Sequence, residues 1–380
     1  AGRVGSAVAV TDDINLDRLA SIDAVATVQQ GTFLADPAGG HDTGAEPGDW
    51  NMDPDDIAVL LFTSGTTGTP KSAVLRQKHL VSYILGSVEF MGAGEDEATL
   101  VSVPPYHIAG VAAMLSSVYA GRRIVQLPRF DPHAWIDTIE AEGVTHAMVV
   151  PTMLTRIVDA LDERGGDPLL GVQALSYGGG KMPRPVIERA LELFPITNFV
   201  NAYGLTETSS TIALLGPDEH RIAQYSDAPT ERARLASVGR PLPGVEVVIR
   251  DVEGIDLPAG EVGEIFVRGE QVAGEYRENG SLLDADGWFP TRDGGYLDTD
   301  GFLFVQGRND DVIIRGGENM SPGEIEDVAI SHPNVRNAAA IGVPDREWGE
   351  KIVLVAVADG TNTDTVELED LIRSRLRSSR

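Results

Sequence analysis

From residue 57 onward the chain alternates two hydrophobic periods. IAVLLF (57–62) is an unbroken apolar run of strand length, and TLVSV, RIVQL, HAMVV, VQALS and ITNFV repeat that signature. Between them, segments 77–91, 108–120, 132–142, 152–163 and 183–193 carry apolar residues at helical spacing. Strands alternating with helices predict βαβ units and a mostly parallel sheet. Past about Ser210 the texture changes. VEVVIR, GEIFVRG, GGYLD and GFLFVQGR read as short strands, separated by turns such as Asn279-Gly280 and Asp300-Gly301. That spacing predicts a smaller antiparallel sheet or distorted barrel. From Arg308 a third texture begins: the strand VIIR, a helix opening at Ser321-Pro322, strands at 338–343 and 351–358, and a final helix. This reads as a small α+β unit.

Residues 1–34 hold one apolar run, SAVAV, and one helix-like segment, LDRLASI; Asp36–Asp56 is acidic and rich in Gly and Pro, an exposed connector. The expected fold class is α/β. A large N-terminal domain would combine mostly parallel βαβ sheets with a small distorted β-barrel, and a small α+β domain would follow. The divisions are 1–56 for the N-terminal segment and connector, 57–210 for the α/β core, 211–309 for the β-rich subdomain and 310–380 for the C-terminal domain.

Composition narrows the function. A chain of 380 residues is too long for one ordinary core. Its net charge of −28 argues against nucleic acid or an anionic membrane as a general partner. The lysines are four, Lys71, Lys78, Lys181 and Lys351, so a phosphate ligand needs a local site that overcomes the global field. With no cysteine, disulfides and thiolate metal sites are excluded, and a cytoplasmic location is the expectation. No run of eighteen or more apolar residues is present, so no membrane span is expected. The opening AGRVGSAVAVTDD lacks both a methionine and a signal-like segment, and reads as a processed or partial chain.

The densest chemistry lies in FTSGTTGTPK (62–71), read here as a loop between a strand and a helix. Backbone amides and a helix N-terminus would face an anion there, and glycine lets the backbone approach it. Thr63, Ser64, Thr66, Thr67 and Thr69 add hydroxyls, Gly65 and Gly68 supply the glycines, and Lys71 adds a point charge suited to phosphate. The register is not G-x-x-x-x-G-K-[ST]. The bland alternative is a solvated turn.

LLFTSGTTGTPKSAVL resembles the phosphate loop of the adenylate-forming superfamily, which includes acyl- and aryl-CoA synthetases, adenylation domains and luciferases. NAYGLTET (201–208) resembles that superfamily's aromatic-Gly-x-Thr-Glu motif. The resemblance implies that Tyr203 stacks on adenine within Asn201–Gly204, that Ala202 and Gly204 line the same wall, that Thr206 contacts phosphate, and that Glu207 holds Mg²⁺. Mg²⁺ does take one or two carboxylates plus phosphate oxygens. SYGGGKMP (176–183) resembles the segment lining the nucleotide and acyl pocket, with Gly178, Gly179 and Gly180 against a flat ring. TRDGGYLDTDGFLFVQGR (291–308) resembles the ribose-binding stretch, which implies roles for Asp293 and Arg308; its Arg-Asp-Gly-Gly departs from the family's Gly-Asp-Leu-Gly. Asp298 and Asp300 read as turn residues, and DADG (284–287) is no calcium loop.

GRNDDVIIRGGENMSPGEIE (307–326) resembles the hinge and the start of a mobile C-terminal domain. Asp310 falls at the hinge, and Gly316 and Gly317 match the coenzyme A-binding loop of the acyl-CoA synthetase branch. His107 in PPYHIAG sits where the family places an aromatic or histidine beside the reacting carboxylate; a structural histidine is the plain alternative. The acyl pocket is expected from His107, Val149–Thr152 and Tyr177–Gly180.

The resemblance implies a ligase using ATP, Mg²⁺ and coenzyme A on a fatty or aromatic carboxylic acid, with acyl-AMP as intermediate. Lys71, Thr206, Glu207 and His107 would be its catalytic groups, and a second copy of the chain is an admissible partner. The family's lysine near the C-terminus has no counterpart here, because Lys351 in WGEKIVLV lies at the start of a strand; truncation is the simplest expectation. Alternatives are transfer to a carrier-protein thiol, or a nucleotide-binding remnant without catalysis.

Overall fold

The apolar runs become strands wherever a second layer covers them. A computed structural model describes residues 8–11, 26–29, 52–63, 71–315, 318–346, 348–358 and 365–376. Contacts divide the chain into two units, Ala1–Met52 and Asp53–Arg380. In the first, β1 (Val8–Thr11) and β2 (Ala26–Gln29) pair in parallel. Strand β1 falls largely within the SAVAV run, and LDRLASI lies outside the described residues.

The second unit opens on β3 (Ile57–Thr63) and β4 (Lys71–Arg76), an antiparallel pair joined by the Ser/Thr/Gly stretch. This corrects the sequence reading twice. No helix follows that stretch directly: Ser72, Ala73, Val74 and Leu75 are all buried, and KSAVLR extends as a strand to meet that demand. Nor does β3 join the parallel sheet. It is an edge strand, with Ile57 and Phe62 each 48% exposed despite their apolar run. Helix α1 (Gln77–Ser87) begins after β4 and stops before residue 91, where Val88 turns extended.

Then β5 (Ala98–Val101), α2 (Ile108–Ala120), β6 (Arg123–Gln126), α3 (Pro132–Glu142), β7 (His146–Val149), α4 (Pro151–Glu163), β8 (Ala174–Gly178), α5 (Arg184–Leu193) and β9 (Asn198–Leu205) alternate as predicted. Sequence punctuation sets the helix starts. Asp131 caps α3 by accepting from the Ala134 N–H at 3.0 Å, and proline follows in the first turn. Strands β5 to β9 pair in parallel. At the far edge run β10 (Ser210–Leu215) and, after α6 (Pro217–Tyr225) and α7 (Pro229–Ala233), β11 (Arg240–Pro241), both antiparallel. The order is β11-β10-β9-β8-β7-β5-β6, so this sheet runs past residue 210 to Pro241. The change of texture at Ser210 marks a change of strand direction within one sheet. Trp135, Ile136, Leu154, Phe194 and Phe199 fill the main core between sheet and helices, each less than 2% exposed. Burial of that kind contributes roughly 1.5–3 kcal/mol per large side chain.

The next strands are β12 (Glu246–Arg250), β13 (Gly263–Arg268), β14 (Glu275–Tyr276), β15 (Gly280–Ser281), β16 (Phe289–Leu297) and β17 (Leu303–Arg308). Four of them form the predicted antiparallel sheet, β12-β13-β16-β17, whereas β14 and β15 cross to the first hairpin as β15-β14-β4-β3. Asp298 and Asp284 are turn residues: Asp298 Oδ1 accepts from Asp300 and Phe302 N–H, and Asp284 Oδ1 from Asp286 and Trp288 N–H. The last portion comprises β18 (Ile313–Arg315), β19 (Glu318–Met320), α8 (Pro322–Ile330), β20 (Val335–Asp345), β21 (Gly349–Ala358) and α9 (Thr365–Arg375). Its sheet runs β19-β18-β21-β20, an α+β unit as predicted. Among the described residues, no helix is long and apolar enough to cross a membrane.

Candidate active site

A cleft of about 640 Å³ lies where β8 and β9 end. Its walls are Gly179 to Pro183 after β8, Asn201 to Gly204 on β9, Asp293 and Val305 to Arg308 on β16 and β17, and the face of α8 bearing Gly323, Glu326 and Asp327. Openings at the carboxyl ends of parallel strands are where such sheets bind ligands. Two glycines let the backbone close up here. A Cβ on Gly178 would sit 2.0 Å from the Ala202 carbonyl oxygen, and one on Gly204 would sit 1.8 Å from that of Ser210. Lys181 reaches across from the large sheet, donating to Asp327 Oδ2 at 2.5 Å and to the Gly323 carbonyl at 3.2 Å.

Tyr203, Asp293 and Arg308, distant in sequence, meet on one wall. The Tyr203 hydroxyl donates to Asp293 Oδ2 at 2.6 Å, and Arg308 Nε lies 3.0 Å from Asp293 Oδ1. Arg308 Nη1 also donates to the Thr291 carbonyl at 3.2 Å. Register explains the meeting, since Asp293 on β16 pairs with Arg308 on β17. Burial raises the Asp293 carboxyl, against the Tyr203 hydrogen bond and the Arg308 charge, which pull it down. Burial, then the Asp293 charge, pushes the Tyr203 phenol well up. Asn201 is spent on structure, its amide donating to the Ser237 carbonyl at 3.0 Å.

A second cluster adjoins. Glu207 lies in a single turn, Thr206–Thr208, directly after β9, and is buried at 8% exposure. Thr208 Oγ1 fixes that turn, accepting from the Leu205 N–H at 2.9 Å and donating to the Ser210 carbonyl at 2.8 Å. Ser209 and Ser210 follow at φ 56° and 102°, left-handed values that cost non-glycine residues energy and cluster at functional sites. The Tyr276 hydroxyl donates to Glu207 Oε1, and the Lys71 ammonium stands 5.6 Å from the Tyr276 ring centre. Burial raises the Tyr276 phenol, the Glu207 charge adds to it, and Thr63 opposes. No group of three or more His, Asp or Glu that could hold a metal occurs among the described residues. One buried carboxylate is a donor that suits Mg²⁺, an ion that takes one or two carboxylates and completes its shell with ligand and water oxygens.

The structure thus unites Lys71, Thr63, Thr206, Glu207, Asp293, Arg308, Gly178 to Gly180 and Asn201 to Gly204 around adjoining sites. Ser64, Gly65, Thr66, Thr67, Gly68, Gly316 and Gly317 lie outside the described residues, as does the side chain of Asp310, whose backbone is in a turn at Asn309–Asp311. His107 stands exposed at the start of α2 with its ring 4.7 Å from that of Tyr106, and it does not line the cleft. The expected acyl-pocket lining is corrected at two positions. Tyr177 and Val149 are fully buried in the main core, because alternate residues of a strand face opposite sides. The sequence reading passed over Tyr276. It lies in a two-residue strand among charged residues, and only its aromatic ring between polar neighbours marked it.

The parallel sheet, the Tyr203–Asp293–Arg308 wall and the Glu207 turn fit the adenylate-forming class. The family model described as AMP-binding enzyme matches residues 3–277, and that of the AMP-binding enzyme C-terminal domain matches 324–379. The chain belongs to the AMP-binding enzyme family, in the acyl-CoA synthetase branch of the adenylate-forming superfamily. It is similar to the 2-succinylbenzoate–CoA ligase of Bacillus licheniformis, 38% identical over 328 residues, which cover 85% of this chain and 64% of that protein. A Bacillus cereus protein of the same name is 34% identical over 310 residues, 80% of this chain and 61% of that one. The chain therefore spans a little under two thirds of these relatives' length. Among solved structures, the o-succinylbenzoate-CoA synthetase of Bacillus subtilis with its acyl-adenylate intermediate matches at TM-score 0.80 and 30% identity, over 99% of this chain and 73% of that one. ATP-bound MatB from Rhodopseudomonas palustris matches at TM-score 0.82 and 28% identity, over 98% and 73%.

Proposed function

We propose that this chain takes part in ATP- and Mg²⁺-dependent ligation of an aromatic carboxylic acid to coenzyme A through an acyl-AMP. The acid we propose is of the 2-succinylbenzoate type. The observation that carries the reading is the Tyr203–Asp293–Arg308 wall beside Glu207 and Lys71. A carboxylate flanked by an arginine can accept from two ribose hydroxyls while the guanidinium faces phosphate. Gly179 and Gly180, which bear no side chain, line the cleft together with Tyr203, where a flat base would lie.

In the first half-reaction a carboxylate attacks the α-phosphorus and pyrophosphate leaves. Two anions must meet, so alignment and charge neutralisation dominate the barrier. Lys71, the amides and hydroxyls of Thr63 to Gly68, and Thr206 would hold the phosphates; His107, outside the cleft, takes no part in the step. Mg²⁺, held by Glu207, would supply further neutralisation at the phosphate oxygens. In the second half-reaction the coenzyme A thiolate attacks the acyl carbonyl and AMP leaves. Gly316 and Gly317 would border the thiol's path, and the C-terminal domain would turn about Asp310 between the steps. A cytoplasmic location and a homodimeric state go with this reading, to be tested by fractionation and sedimentation.

The test is pyrophosphate release over a panel of 2-succinylbenzoate, benzoate, octanoate and acetate, with and without coenzyme A. Release with 2-succinylbenzoate, plus its thioester when coenzyme A is present, is the expected result. Release with another acid alone would overturn the substrate. MgATP binding without release on any acid would overturn the ligase.

A further inference from the structure

We infer that Tyr276 is a positioning residue that fixes the Glu207 carboxylate and couples it to the hairpin bearing Lys71. This rests on the proposed role of Glu207 toward Mg²⁺. Six residues, 273 to 278, carry the argument, because they grip both partners at once. On one side the Ala273 and Gly274 N–H groups each donate to the Glu207 carbonyl at 2.9 Å, and the Tyr276 hydroxyl donates to its carboxylate. Main chain and side chain of Glu207 are thus held by one short segment.

The other side of that segment grips β4. Tyr276 pairs with Ala73, two residues beyond Lys71. The Arg277 N–H donates to the Ser72 carbonyl at 2.9 Å. Glu278 accepts from the Ser72 N–H at 2.9 Å and from its hydroxyl at 2.8 Å. Glu275 takes a two-pronged donation from Arg76, at 2.8 and 2.7 Å. A bidentate pair fixes direction as well as distance. Lys71 leaves this clamped strand with its ammonium over the Tyr276 ring.

A metal–triphosphate complex must meet a carboxylate and an ammonium at a set separation, and segment 273–278 sets it. The phenol occupies Oε1 of Glu207, and among the described residues no hydrogen bond engages the other oxygen, which a cation could take. A carboxylate able to rotate would meet the metal in one orientation among several, and the lost hydrogen bond to a charged group predicts an effect of about tenfold.

The test is Tyr276→Phe, which keeps the ring against Lys71 and deletes only the hydroxyl. Nucleotide affinity of the full chain is measured calorimetrically, with ATP plus Mg²⁺ and with ATP plus a chelator, in the parent, Tyr276→Phe, Glu207→Gln and the double variant. The expected result is MgATP binding weakened about tenfold by Tyr276→Phe, metal-free ATP binding unchanged, and no further loss when Tyr276→Phe is added to Glu207→Gln. Unchanged MgATP affinity, or equal weakening with and without Mg²⁺, would overturn the positioning role. If Glu207→Gln binds MgATP as tightly as the parent, the failure lies in the metal role of Glu207 beneath it.

Discussion

Replacing His220 by leucine should abolish a pH dependence that the parent carries between neutrality and pH 4. The ring of His220 on α6 is fully buried. Its Nδ1 donates to the Gly216 carbonyl at 2.7 Å, and its Nε2 lies 2.9 Å from the Tyr177 hydroxyl, which donates to it. Burial drives the imidazole down from 6.5 to about 4, Arg221 adds to the fall, and Glu219 with the Gly216 carbonyl resists it. The unfolded chain takes up a proton near 6.5 and the folded chain waits until about 4. Stability from the neutral ring is therefore complete above 6.5, declines as pH falls, and is gone below 4, a span of about 3 kcal/mol. At neutral pH His220→Leu should be the less stable by roughly 1–3 kcal/mol, since the Tyr177 hydroxyl loses its acceptor. Denaturant midpoints at steps from neutral pH down to 4 give the difference between the two proteins. Other groups titrate in that window, among them His79, also depressed to about 4 by burial, but they are common to both proteins and cancel. The difference should shift by about 3 kcal/mol in the variant's favour on acidification, closing or reversing the gap. A gap that stays constant would refute the reasoning.

Three further outcomes follow from contacts at the cleft. Gly178→Ala forces β8 and β9 apart against a 2.0 Å approach, and overpacking of that kind costs about 2 kcal/mol, read as a melting temperature lower by roughly 4–8 °C and as weaker ATP binding. Arg308→Ala leaves the Asp293 carboxylate without its cation. Burial raises that carboxyl and the Arg308 charge opposes it, so the loss should be about 1 kcal/mol near neutral pH and should fade as acid protonates the carboxyl in both proteins, as paired unfolding curves would show. Lys181→Ala breaks a half-exposed pair with Asp327 and should cost under about 1 kcal/mol, with parent and variant converging in melting temperature at high salt.

Much of the fold was legible because its signals were local. The five parallel strands are short apolar runs between helices, three of the four with proline or aspartate at their starts, and both features survive any packing arrangement. The β4 strand was not legible: KSAVLR follows a loop that resembles a helix start, and one of its two strand partners, β14, comes about 200 residues later. Strand β3 misled for the converse reason, since an apolar run predicts two covered faces and its ends have one. In the site, Tyr203, Glu207, Asp293 and Arg308 could be named from their motifs. What joins them is strand register and a tyrosine in a two-residue strand, which no local pattern announces. Tyr177 and Val149 were assigned to the wrong side because a one-residue step along a strand reverses its face.

The pairing of β14 with β4 also bears on how the molecule is made. Ser72 and Glu278 are 206 positions apart, and closing a loop of that size costs about 5 kcal/mol before any contact repays it. High contact order of this kind slows folding. During synthesis β4 can pair with β3 at once, but its other edge stays bare until some two hundred further residues have left the ribosome. A bare edge is a template for foreign strands. The parallel sheet forms from neighbours and need not wait, so the hairpin that carries Lys71 is completed late. Fragments ending before Glu275 should accordingly contain a folded parallel sheet, self-associate through β4, and bind no nucleotide.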